Sequence, residues 1–194
     1  MDIVTIDTVY EKYLGKCGLN VIRYPPVAPP ASIYNFHLDH TKMKYVCFIH
    51  SDVTTDGFLE AVARTILKYP DFGAIGAVGT KDGCKWGQLG NIQEVITVDS
   101  CCIVINTDHG LRFDNKTFNE FHLYVEDYCM QVGALGKKVY TLDIDGYEYK
   151  AGLILDSDYF VHHSHTLNRE GCSWGSYPKF RKLLSKKWPG VQTT

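Results

Sequence analysis

Three short runs in this 194-residue chain hold side chains of types and spacings suited to chemistry. The first, His50-Ser51-Asp52, directly follows the apolar run Tyr45-Val46-Cys47-Phe48-Ile49. In extended backbone, residues two apart project to one side, so this imidazole and carboxylate can approach one divalent cation or one diphosphate. The same residues also fit a plainer role, in which Asp52 caps the turn before the next helix and His50 closes the strand. The second run is Glu126-Asp127, set among Phe121, His122, Tyr124 and Tyr128. Adjacent acids on a mainly apolar segment are costly to bury, and a buried carboxylate has a raised pKa suited to accepting a proton. The plain alternative is that one of the two faces solvent. The third is Val161-His162-His163-Ser164-His165, which closes an apolar strand. Neutral imidazole binds Mn, Zn and Co ions well, and clustering at a strand end favours a functional role for at least one of the three.

These residues need elements to hold them. Residues 19–24 and 44–50 are short runs rich in Val, Ile and aromatics, and they predict strands. Between them, the proline-rich stretch leads to Ser32, which reads as the N-cap of a short helix. After Asp52, the residues Phe58, Leu59, Val62, Ile66 and Leu67 recur at helical spacing until Pro70, and a buried strand follows at 72–79. Strand, acid-bearing loop, helix, strand is the rhythm of a βαβ unit. The architecture expected is one α/β domain over 1–194 with a mostly parallel sheet covered by helices, and ligands bind such sheets at the strands' carboxyl ends. Residues 80–94 are Gly-rich and carry Trp86, which fits either a loop over a site or a surface connection with one anchoring side chain. Residues 95–106 read as one or two strands, 116–136 as a helix ended by Gly136, 137–144 and 159–165 as strands, and 177–188 as a basic helix.

Composition narrows the partners. With 45% hydrophobic and 22% charged residues the chain is long enough to bury a sizeable core. A formal charge of −2 supplies no basic field, so nucleic acid is not an expected partner. Seven cysteines without a C-x-x-C spacing read as reduced thiols of a cytoplasmic protein. No run approaches the length of a membrane span, and the N-terminal stretch lacks the apolar region of a signal peptide. The G-x-G-x-x-G, Walker, H-E-x-x-H and G-x-S-x-G signatures do not occur, which disfavours dehydrogenases, P-loop enzymes, zincins and α/β-hydrolases.

In chain order the pieces resemble a glycosyltransferase of the GT-A fold, inverting family-2 type, closest to the StrF-like (streptomycin biosynthesis protein) branch. The matching stretches are 31–40, the Phe48-Ile49-His50-Ser51-Asp52-Val53 run that resembles that branch's F-x-H-x-D-V, and 70–80. They continue with Trp86-Gly87, Val98-Asp99-Ser100, residues 111–129, Gly136 after Asp127, His162-His163-Ser164 and the terminal Lys186-Lys187-Trp188. The resemblance implies a Rossmann-like α/β/α sandwich with a mostly parallel mixed central sheet. It implies a divalent cation, Mn or Mg, held by Asp52 and by His162 or His163, with His50 where many relatives have a first Asp. A nucleotide-sugar donor, in particular a UDP-sugar, is then expected near Asp52, His50, Ser32, Asn35 and Trp86, and the acceptor is a hydroxyl of a glycan or small molecule. The resemblance also implies a catalytic base in the acidic motif. Relatives often read Y-D-x-D there and this chain reads Tyr124-Val125-Glu126-Asp127, so Asp127 matches by its spacing to Gly136 and Glu126 is the second candidate. The first strand, within Met1-Asp2-Ile3-Val4-Thr5-Ile6-Asp7, is expected to be shortened. Two other readings compete: a non-catalytic sugar-nucleotide or glycan-binding module of the same fold, and a metal-dependent hydrolase using Asp52 and the His162–His165 cluster.

Overall fold

A computed structural model describes residues 1–6, 20–55, 57–80, 93–142, 148–150, 154–156, 160–162 and 176–191; for 54–55, 148–150, 154–156 and 160–162 it describes the backbone alone. Along the chain lie β1 (Asp2–Ile6), β2 (Ile22–Tyr24), α1 (Pro30–His40), β3 (Tyr45–Ile49), β4 (Val53–Thr55), α2 (Phe58–Lys68), β5 (Phe72–Gly76) and β6 (Gly79–Thr80). There follow β7 (Glu94–Val95), β8 (Thr97–Val98), β9 (Cys102–Asn106), α3 (Tyr124–Ala134), β10 (Lys138–Thr141), β11 (Glu148–Lys150), β12 (Ile154–Asp156), β13 (Phe160–His162) and α4 (Tyr177–Lys187).

Seven strands form the central sheet in the order β2-β1-β3-β9-β5-β10-β7. Parallel pairing joins β1 to β2 and β3, and β5 to β10. The strand β9 runs antiparallel between β3 and β5, and β7 is antiparallel to β10. The sheet is therefore mixed and mostly parallel, as expected, with β9 inserted into the βαβ unit of β3, α2 and β5. Each pleated strand sends alternate side chains to opposite faces. Val46 and Phe48 of β3 join α1, α3 and α4 in one core, whereas Cys47 and Ile49 join Phe58, Ala61 and Val62 of α2 in the other. Helices thus cover both faces, which gives an α/β/α sandwich. The strand β1 has five residues, as many as β3, β5 and β9, and Val4 at its centre is fully buried.

Three local expectations change. The helix α1 opens at Pro30 after Pro29, so Ser32 lies in its first turn, with its amide bonded to the Pro29 carbonyl at 3.0 Å. Proline's fixed φ suits a helix start, and it supersedes the Ser32 cap. The helix read over 116–136 begins only at Tyr124, because side chains hold the preceding stretch in turns: Asp114 Oδ1 accepts from the Thr117 amide at 3.0 Å, and Leu123 has φ 62. Its end is as expected, with Gly136 at φ 69. The segment 95–106 forms three pieces, β7, β8 and β9, broken at Ile96 and again at 99–101.

Candidate functional site

The carboxyl end of β3 delivers His50, Ser51 and Asp52 to a tight turn beside the start of β9. The His50 amide donates to the Cys101 carbonyl at 2.9 Å, and the Val53 amide closes the turn on the His50 carbonyl at 3.3 Å. Ser51 and Asp52 are buried at 3% and 5% exposure, whereas the His50 side chain remains 30% exposed. His50 Nδ1 lies 3.9 Å from Asp52 Oδ1, an ion-pair distance when the ring is protonated and too long for a hydrogen bond.

A second acid meets this turn from the other side of Cys101. Asp99 Oδ1 accepts from the Cys101 amide at 2.7 Å, and the Asp99 amide is bonded to the Val78 carbonyl at 2.9 Å. Burial, reinforced by the negative charges of Asp99 and Asp52, pushes the Cys101 thiol well above its ordinary pKa. The two carboxylates therefore flank one buried residue at the same edge of the sheet. Asp99 was not singled out from sequence as a site residue; the available signal was an acid at the break between two apolar strands.

The first turn of α3 brings the acidic pair to that edge by way of β8, against which α3 packs. The turn starts from Leu123, a bulky buried residue in the left-handed region, and such outliers persist only where the surroundings impose them. Glu126 is 9% exposed, and its buried Oε2 has no hydrogen-bond partner among the described residues. Desolvation above all, then the charges of Asp99 and Asp127, raises its pKa from 4.5 to about 8. Asp127 differs in its partners. It is wholly buried, and it accepts from Trp188 Nε1 at 2.7 Å, Lys187 Nζ at 2.9 Å and Gln131 Nε2 at 2.9 Å.

Other residues expected at a donor site have structural partners. Asn35 clamps Phe113, its Nδ2 donating to the carbonyl at 2.8 Å and its Oδ1 accepting from the amide at 2.9 Å. Ser32 Oγ accepts from Asn115 Nδ2 at 3.2 Å. Both tie α1 to the loop before α3. The backbone of His162 pairs with Val53, the residue after Asp52, so β13 brings the start of the histidine cluster to the His50–Asp52 turn. Trp86 and His163 lie outside the described residues.

Among the described residues, no group of three His, Cys, Asp or Glu side chains converges to hold an ion. What the edge offers is the carboxylate of Asp52 with the imidazole of His50 beside it. A carboxylate of this kind could hold Mg or Mn together with substrate phosphates and water, and an imidazole could add a ligand for softer divalent ions. Among the described residues, no helix is long and apolar enough to cross a membrane. Cys47, Cys101, Cys102 and Cys129 are free and buried, in keeping with reduced thiols.

A scan against protein-family models finds no match, and neither does a search of the curated proteins. Similar solved structures exist. A197 from STIV superposes with a TM-score of 0.51 at 12% identity, over 88% of this chain and 98% of that one. TarS 1-349 of S. aureus, a glycosyltransferase, superposes with a TM-score of 0.51 at 12% identity, over 82% of this chain and 59% of that one. Likeness at this identity speaks to fold alone: the chain has a distant glycosyltransferase-like fold, with the acids described above at one edge of its central sheet.

Proposed function

We propose that this chain is an inverting, metal-dependent glycosyltransferase that moves a hexose from a nucleotide-diphosphate sugar, in the first instance a UDP-sugar, to a hydroxyl of a glycan or small molecule. The observation that carries the reading is Glu126. A buried carboxylate with one unpartnered oxygen and a pKa of about 8 is equipped to take a proton, and it lies at the edge of a glycosyltransferase-like sheet near Asp99. In this proposal Glu126 is the base for the acceptor hydroxyl, and Asp127, whose oxygens are taken by Lys187, Trp188 and Gln131, supports it. Asp52 and His50 form the donor-diphosphate and cation subsite, with His162 or His163 as a further ligand. A bound Mn or Mg ion would supply Lewis-acid help to the departing diphosphate. Burial of Asp52 at 5% exposure keeps its carboxylate in a low-dielectric setting, where its pull on a cationic or hydrogen-bonding ligand is strengthened. Membership of the StrF-like branch rests on the sequence motifs alone.

The test is a thermal-shift and turnover assay with nucleotide sugars, with and without manganese. UDP-hexose plus manganese is expected to raise Tm and to be hydrolysed slowly, and Asp52→Ala is expected to lose the metal-dependent part of the shift. UDP affinity unchanged by Asp52→Ala in the presence of manganese sinks the assignment of Asp52. A second reading has its own support: the acid that best matches the family's base, Asp127, is fully buried and fully engaged. On that reading the chain is a non-catalytic sugar-nucleotide-binding module, and it predicts stabilisation by donor with no turnover for any acceptor.

A further inference from the structure

Lys187 and Trp188 close the chain's last helix, and both donate to one carboxylate in the first turn of α3. Trp188 Nε1 reaches Asp127 Oδ1 at 2.7 Å, and Lys187 Nζ lies 2.9 Å from the same oxygen. Lys187 also holds Asp114 at 2.7 Å, which ties in the loop that precedes α3. Behind this grip, Phe180 and Leu184 of α4 are completely buried in the core shared by Tyr124, Val125 and Tyr128. Glu126 itself is held by less: its carboxylate has a hydrogen bond with its own backbone. Its Oε2 makes no hydrogen bond among the described residues, so no bond there selects its rotamer. Its place is inherited from the turn that carries it, and the neighbouring residue of that turn is the one α4 grips.

From this geometry we propose that Lys187 and Trp188 are positioning residues: by holding Asp127 they fix the turn that presents the Glu126 carboxylate in its water-poor setting. The proposal deepens the glycosyltransferase reading, on which the role of Glu126 as base rests. It also accounts for the terminal Lys-Trp pair, which the proposed chemistry leaves without a task. Lys187 spans two carboxylates, Asp114 and Asp127, and the indole N–H has a wholly buried acceptor. A helix docked only by its apolar face would need neither.

The test reads Glu126 without requiring turnover. Stability to denaturant is measured from pH 5 to pH 9 for the chain and for Glu126→Gln, and the pH dependence of the difference gives the Glu126 midpoint. The groups that act on it are Asp99 from the turn before β9, and Asp127, Tyr124 and Cys129 from α3. The same pair of measurements is repeated in Trp188→Phe, which keeps an aromatic ring and removes the donor. Loosening the turn admits water, so the midpoint is expected to fall by about one pH unit. Lys187→Gln is the second variant, and its sign separates two causes. Loss of a cation alone would raise the midpoint of a nearby acid, so a fall reports loosening. Lys187→Arg, which keeps the charge and the donors, is expected to keep the original midpoint. Lower Tm with an unmoved or raised midpoint in whichever of Trp188→Phe and Lys187→Gln folds overturns the proposal and leaves the pair as a docking contact. Where transfer is measured, kcat is expected to drop about tenfold with the donor KM unchanged. A chain that binds no sugar nucleotide would defeat the glycosyltransferase reading while the midpoint still decides the positioning role.

Discussion

Within one turn of α3, a carboxylate with three donors sits next to one with a bare oxygen, and the contrast sets what each can do. Asp127 is bound to Lys187, Trp188 and Gln131, whereas Glu126 Oε2 has no partner among the described residues. Burial makes the charged form of Glu126 costly and raises its pKa to about 8. Because the folded chain then binds this proton more tightly than the unfolded chain, the stability contributed by Glu126 is full below about 4.5 and is lost as pH rises through about 8. Glu126→Gln is expected to remove this dependence and to leave the chain more stable than wild type above pH 8, by an amount on the order of a few kcal/mol. Denaturant titrations of the two proteins at several pH values check this, and parallel curves would show that Glu126 is not desolvated. On the glycosyltransferase reading, transfer by the wild type should rise with pH toward a plateau above about 8, and Glu126→Gln should transfer nothing while it still binds donor.

At the scale of elements, two contacts decide where the site's loops lie. Asn35 on α1 satisfies both backbone groups of Phe113, which is 2% exposed. Asn35→Ala orphans the buried Phe113 amide, while the carbonyl keeps the Asn115 amide at 2.9 Å, and should cost about 2 kcal/mol, seen as a Tm lower by roughly 4–8 °C. Donor affinity should stay the same; a loss of affinity without a loss of Tm would return Asn35 to the donor site. The second contact is a close approach. A Cβ on Gly76 of β5 would meet Val98 Cβ at 2.4 Å, so glycine is what lets β8 lie against β5 and set Asp99 beside Cys101. Gly76→Ala is expected to destabilise by about 1–3 kcal/mol and, by displacing β8, to lower the Glu126 midpoint as Asp99 recedes. A midpoint that stays put in a destabilised Gly76→Ala would show that β8 yields without moving Asp99.

For the whole molecule, the sandwich supplies a rigid platform with helices on both faces and the acids at one edge. A ligand that binds only the folded state stabilises by about 2.7 kcal/mol at a hundredfold excess over its Kd. For a chain of this size that is a Tm increase of roughly 5–11 °C. Such a shift with UDP-hexose and manganese together, and a smaller one with either alone, is the whole-molecule signature of a shared cation and diphosphate site. Equal shifts with and without manganese would separate donor binding from metal.

Much of the fold was legible in the sequence because it is written in local periodicity. Alternating Val46, Cys47, Phe48 and Ile49 announce a strand buried on both faces, and the spacing of Phe58, Val62 and Ile66 announces α2. The turn His50-Ser51-Asp52 was legible too, since it sits where an apolar strand runs out. Pairing partners were not: β9 entering antiparallel between β3 and β5 depends on long-range packing that no window of sequence contains. Nor was the division of labour between Glu126 and Asp127, which share nearly the same local sequence. The sequence determined that two adjacent acids would lie in one helical segment, and the structure sets them in the first turn of α3. Only the tertiary structure decided that one meets Lys187 and Trp188, 60 and 61 residues further along, while the other keeps an unpartnered oxygen near Asp99. A carboxylate's chemistry is set by the donors and dielectric around it, and these arrive from distant parts of the chain.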